Sequence, residues 1–208
     1  MVRALLLILD ADGSWKKIAK NKRGFLFIFF LHLLPLLVVT LGAEAFAMTK
    51  LGEGRAITGH LRIVSSASAW EYFIAAVVLN LGMVLAAAKI LQRIALSFRD
   101  NTTYLECFTV VAYALSPLYV AHLADAIPAL NTWACFAIGM ALSVSSVFHG
   151  TPAIMKPDAA KGFGVCLMGA VLLLLMAGLV HFMDIQVLHG ELNFRFWEQF
   201  LTPSAPVP

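Results

Sequence analysis

The chain has 208 residues, of which 61% are hydrophobic and only 13% charged, and its net charge is +3. Soluble globular domains carry about 25% charged residues, so this balance excludes an ordinary water-soluble globule. The length suits one compact domain with short connections, and no polar stretch is long enough to form a second.

An amino-terminal leader comes first. Arg3 to Leu9 is a short apolar patch, Asp10, Asp12 and Gly13 interrupt it, and Trp15 and Ile18 then stand among basic residues. Lys16, Lys17, Lys20, Lys22 and Arg23 form a basic patch of the kind that lies at a membrane surface, with Trp15 at headgroup level. An anionic lipid surface attracts such a patch by roughly 1 kcal/mol per nearby basic residue.

Five apolar runs follow: residues 25–46, 72–88, 107–124, 130–148 and 163–180. A helix needs about 20 predominantly apolar residues to cross a hydrocarbon core of ~30 Å, and these runs are of that order. The expected fold is therefore all-α, a polytopic bundle of five transmembrane helices. Its parts are a leader over 1–23, a membrane domain over 24–183 and an aromatic-rich tail over 184–208, with Phe194, Phe196, Trp197 and Phe200 resting on the outer leaflet. Small-residue sites after the first run look like signal cleavage sites, but the polar lead is too long for the usual signal peptide.

Pro35 in the first run and Pro117 in the third each remove a backbone donor and clash one turn back, so both helices should bend. The loop from Thr49 to Ala69 is Gly-rich and polar, and Trp70 with Tyr72 marks re-entry through the aromatic belt. Past the second run, Lys89 and Arg93 alternate with Ile90, Leu91 and Ile94, which extends that helix beyond the membrane to about Asp100. Thr103 followed by Glu106 is a capping-box pattern that starts the third helix. The fourth helix is expected to stop at His149-Gly150-Thr151-Pro152, glycine ending it and proline preventing its continuation.

Lys and Arg are divided unevenly between the two ends of such a bundle. Arg3, Lys16, Lys17, Lys20, Lys22, Arg23, Lys89, Arg93, Arg99, Lys156 and Lys161 fall on one side; Lys50, Arg55, Arg62 and Arg195 fall on the other. Basic residues are retained in the cytoplasm, so the amino terminus is expected inside and, after five crossings, the carboxyl terminus outside. Cys107, Cys135 and Cys166 lie within or beside apolar runs without CxxC spacing, which indicates neither disulfides nor a zinc site.

Two stretches carry a family resemblance. Ala112-Tyr113-Ala114-Leu115-Ser116-Pro117-Leu118 is similar to a small-Tyr-x-x-x-Pro pattern. Phe148-His149-Gly150-Thr151-Pro152-Ala153-Ile154-Met155-Lys156-Pro157, with Lys161-Gly162-Phe163-Gly164, is similar to an aromatic-x-Gly-x-Pro-x-Leu-Met-Lys stretch and its sequel. Both resemble the Yip (Ypt-interacting protein) family, including its bacterial inner-membrane branch. Ala112 stands where Gly is common, and Phe163-Gly164 replaces the usual Gly-Tyr order. The resemblance covers about the last four helices and implies a five-helix bundle. Eukaryotic relatives act in vesicle trafficking with small GTPases, while the bacterial members have no comparable agreed activity.

The sharpest chemical constellation is a pair of His-x-x-Asp elements, His122 with Asp125 and His181 with Asp184. Residues three apart share a helix face, and odd-numbered spans run in the same direction, so both pairs reach the outer surface, with Glu44 at similar depth. Two imidazoles and two carboxylates are a ligand set for a divalent transition metal; the alternative is that the aspartates cap the next segment. His32 and Asn80 are polar groups at membrane depth, each expected to hydrogen-bond across helices. No mid-span carboxylate is evident, and neither a P-loop, a nucleophile elbow nor a metalloprotease motif appears. The basic residues are split among loops, leaving no platform for nucleic acid.

The leading expectation is a non-enzymatic integral membrane protein without a cofactor, acting as a scaffold, assembly factor or regulator of a membrane complex. Small residues such as Gly139, Ser143, Gly164 and Gly169 permit the close helix approach this needs. Its partners would be lipids and other integral membrane proteins or a second copy, in a bacterial inner membrane. A small transporter or channel, with Pro35 and Pro117 as bends and His32 and Asn80 along a route, is one alternative. A metal-binding membrane protein built on the paired His-x-x-Asp elements is another.

Overall fold

A computed structural model of the chain describes residues 2–51, 53–54, 61–62, 64–98, 101–127, 130–158 and 160–188. Five helical stretches in it are long and apolar enough to cross a membrane: Phe25–Lys50, Ser66–Ser97, Tyr104–Ala124, Thr132–Ile154 and Gly162–Leu188. The five expected spans are present, and several extend beyond their apolar runs. The aromatic tail lies outside the described residues.

The leader forms two helices, α1 (Val2–Leu9) and α2 (Ala11–Asn21). Asp10 separates them and caps α2, its carboxylate accepting from the Gly13 amide at 2.9 Å. Helix α2 does not merely rest on the membrane surface. Trp15 is 1% exposed, its indole N–H donates to Ser146 Oγ at 3.2 Å, and its ring meets Tyr113 edge-on. The headgroup position expected for Trp15 is thus corrected: the ring fills a gap in the bundle wall while the neighbouring lysines stay outside. The sequence signal is ambiguous because a Trp flanked by lysines is equally what a belt residue and a docking residue look like.

The first span begins as a short α3 (Phe25–Ile28), widens into a π-helical turn over Phe29–Leu33, and continues as α4 (Leu34–Lys50). Pro35 cannot bond back to its preceding turn, and the π turn is where the helix absorbs that missing bond. The third span is likewise broken, into α6 (Tyr104–Ala114) and α7 (Ser116–Asp125), with Leu115 as a turn and Pro117 in the first turn of α7. The two interruptions face each other. His32 Nε2 lies 2.9 Å from Ser116 Oγ, and the His32 ring stacks on Tyr113 at 4.1 Å.

A two-residue antiparallel pair, β1 (Glu53–Gly54) with β2 (Leu61–Arg62), lies in the loop before α5 (Ser66–Ser97). At about 1.5 Å per residue this 32-residue helix is about 48 Å long and overshoots a ~30 Å hydrocarbon core, as its basic extension implied. The capping box is formed: Thr103 Oγ1 accepts from the Glu106 amide at 3.3 Å, and Glu106 Oε2 accepts from the Thr103 amide at 2.8 Å.

Helix α8 (Thr132–Ile154) passes through Gly150 and holds Pro152 in its last turn, so the expected stop does not occur there. Gly150 serves packing instead, because a Cβ on it would stand 2.5 Å from the Trp15 ring. Gly139 has a similar role, since its Cβ would meet Ala121 Cβ at 2.8 Å and Leu118 Cα at 3.0 Å, where α8 crosses α7. Helix α9 (Gly162–Leu188) completes the bundle, packing on α5 and α8.

The third span is the axis of the bundle. In its apolar window 78% of residues are buried, against 39–44% in the other four. It packs against the first, second and fourth spans, and α1 lies along α7.

Candidate polar site in the bundle

Helices α4, α5, α7 and α9 converge on a set of buried polar side chains. Tyr72, Ala76, Asn80, Val84 and Ala88 recur every four residues on α5 and are all buried, so they form one inward stripe. The Tyr72 hydroxyl donates to Glu44 Oε1 of α4 at 2.8 Å, and the other oxygen of Glu44 lies 3.4 Å from His122 Nδ1 of α7. Two turns along the stripe, the Asn80 amide donates to Asp184 Oδ2 of α9 at 3.2 Å and to the Ala76 carbonyl at 2.9 Å.

His181 sits one turn before Asp184, with its ring centroid 5.9 Å from that of His122. Phe136 stacks on it at 4.4 Å and Trp133 meets it edge-on at 4.9 Å. Glu44, His122, His181 and Asp184 are all no more than 6% exposed. The fourth residue of the paired motifs, Asp125, ends α7, and its side chain lies outside the described set.

Sequence spacing thus brings His122, His181 and Asp184 to one place with Glu44 at the expected depth beside them, and the fold adds Tyr72 and Asn80. Among the described residues no group of three or more His, Cys, Asp or Glu side chains is arranged to hold a metal ion. Asp184 lies one turn before the end of α9, and Glu44 lies six residues before the end of α4, so both acids lie inside helices. Apolar-run boundaries understate helix length when a buried acid is satisfied by neighbouring helices instead of water. Tyr72 is the residue the sequence misassigns: Trp70 is 63% exposed as a belt residue should be, but Tyr72 turns inward.

Chemically, the cluster joins two carboxyl groups, two imidazoles, a phenol and an amide away from solvent. A buried carboxylate in such surroundings is stable only with hydrogen-bond donors or a compensating cation. Tyr72 and Asn80 supply donors, and the imidazoles supply positive charge when protonated. The set ties four of the five spans together in one register. His32, at the other polar site, is similarly occupied by Ser116 and Tyr113.

A bundle of five apolar helices with its polar side chains turned inward defines an integral membrane protein. The chain matches the family model described as Yip1 domain over residues 5–195, and it belongs to that family. No curated protein and no solved structure matches it.

Proposed function

We propose that this protein is a non-enzymatic scaffold or regulatory partner of a membrane complex, seated in a bacterial inner membrane with its basic, amino-terminal end in the cytoplasm. The observation that carries the reading is the division of labour between interior and surface. Inside, Glu44 is held by Tyr72 beside His122 and Asp184 is held by Asn80, whereas the outward faces of α5 and α9 carry large apolar side chains such as Ile74, Val78, Leu175 and Leu179. Such faces bind lipid and offer van der Waals surface to another membrane helix, the main driving force for association in lipid. The eleven-to-four division of basic residues supports the orientation.

Photocrosslinking groups placed at Val78 and Leu175, irradiated in native membranes, are expected to trap a discrete higher-mass adduct at one face or both. Free monomer at both positions, with only free monomer after purification in mild detergent, contradicts the scaffold reading.

One observation favours a second reading, a metal-binding membrane protein: the His122 and His181 rings approach within 5.9 Å beside two carboxyl groups. Elemental analysis would then show a divalent metal that a His122→Ala, His181→Ala double variant lacks. Equal metal content in the two proteins removes this reading.

A further inference from the structure

A cavity of about 300 Å³ opens at the basic end of the bundle, between the end of α2, α3, the start of α6 and the end of α8. Its volume is at the low end of the ~300–1,000 Å³ typical of small-molecule sites. Lys22, Arg23 and Lys156 line it together with one acid, Glu106. That acid is already engaged, since its carboxylate accepts from the Thr103 amide at 2.8 Å and the Thr103 hydroxyl at 2.7 Å. Among the described residues no carboxylate lies within 4.0 Å of any of the three cations. Arg23 rests over the Phe27 ring at 4.0 Å.

Two further features mark the cavity. Tyr113 lines the cavity and is 1% exposed, yet its hydroxyl has no hydrogen-bond partner, and a buried hydroxyl left so is costly. Lys22 and Lys156 are the non-glycine residues with left-handed backbone among those described, with φ of 34° and 50°. Both follow helix ends, where glycine avoids the strain of this conformation, and both line the same cavity. Each of these strained positions thus carries a cationic residue that lines the cavity.

We propose that this cavity binds a phosphate group, carried by the headgroup of an anionic phospholipid. Phosphate matches the site: an Arg and two Lys for its charge, and apolar walls from Ile18, Ile28 and Ile154 for the attached glycerol and chains. The position favours a lipid over a soluble phosphate compound. The cavity lies at the end of the bundle where basic residues concentrate, next to α2 with Lys16, Lys17 and Lys20, and anionic headgroups are gathered at such a surface.

The test uses the full chain in nanodiscs of phosphatidylcholine, titrated with dihexanoyl phosphatidic acid, dihexanoyl phosphatidylcholine or glycerol 3-phosphate, with thermal unfolding as the readout. Ligand bound only to the folded state raises the midpoint as its concentration exceeds Kd. Phosphatidic acid is expected to stabilise the protein, phosphatidylcholine not to, and glycerol 3-phosphate to bind at least about tenfold more weakly because it lacks the chains. A Lys22→Gly, Lys156→Gly double variant relieves both strained backbones, so it is expected to fold at least as well as the parent. Its affinity for phosphatidic acid should fall about 30-fold, the loss of two lysine contacts. Undiminished binding by the lysine variant overturns the proposal, as does an equal response to phosphatidylcholine. Glycerol 3-phosphate binding as tightly as phosphatidic acid overturns the lipid assignment in favour of a soluble phosphate compound.

Discussion

Trp15→Ala should release α2 from the bundle, lowering the unfolding free energy by about 3 kcal/mol and freeing the backbone at the already exposed Lys16, Lys17 and Lys20 for cleavage by trypsin. The loss has three parts. The indole fills space against Gly150 so closely that a single added carbon there would collide with it. It donates to Ser146 across the helix pair, and its edge packs on Tyr113 at 6.3 Å. Truncating a buried Trp to Ala costs about 3–5 kcal/mol in soluble cores, and the low end applies here because lipid is a better alternative solvent for an apolar ring than water is. Gly150→Leu should produce the same protease sensitivity by pushing from the other side, since overpacking costs about 1–3 kcal/mol. Denaturant unfolding and timed trypsin digestion check both variants. Unchanged digestion of Trp15→Ala would return Trp15 to the headgroup layer and α2 to a surface role.

Glu44→Ala should be similarly damaging, at about 3 kcal/mol. It removes the acceptor of the 2.8 Å Tyr72 bond and the carboxylate 3.4 Å from His122, at a site only 3% exposed. Its loss strands the buried Tyr72 hydroxyl and, when His122 is protonated, that imidazolium, and stranding a buried charge costs about 3–5 kcal/mol. In a membrane the denatured state also finds polar partners, which moves the expectation to the low end. Glu44→Gln keeps the shape and one acceptor and should lose less than half as much. Adding His122→Ala to Glu44→Ala should cost at least about 0.5 kcal/mol less than the sum of the single changes, as coupled neighbours do. Strict additivity would show that the 3.4 Å approach carries no energy.

The local devices were legible along the chain. The capping box at Thr103 and Glu106 forms because its two reciprocal hydrogen bonds need only residues three apart. The five spans, the extension of α5 and the interruptions at Pro35 and Pro117 follow from composition, helix rise and the missing proline N–H in the same way. Errors gathered where a residue type serves two environments. Trp15 and Tyr72 suit a membrane interface and a protein interior equally well, since each has an apolar body and a polar tip. Gly150 suits a helix stop and a close crossing equally well, and only the ring lying against it tells which.

The candidate site divides along the same line. Three-residue spacing and the common direction of odd-numbered spans were enough to send His122, His181 and Asp184 to one end of the bundle. The end of the first run also placed Glu44 at similar depth, but nothing in the spacing reveals that Tyr72 bonds Glu44 or that Asn80 bonds Asp184, because those bonds connect residues 28 and 104 positions apart. The sequence by itself determined the solvent, the number of crossings and the helix punctuation, all of which depend on short-range composition and backbone chemistry. Only the tertiary structure decided which polar groups meet, that the third span is the axis and that α2 is part of the bundle wall. Those outcomes depend on helix rotation and lateral order, which in lipid are set by side-chain packing and interhelical hydrogen bonds that no hydropathy pattern encodes.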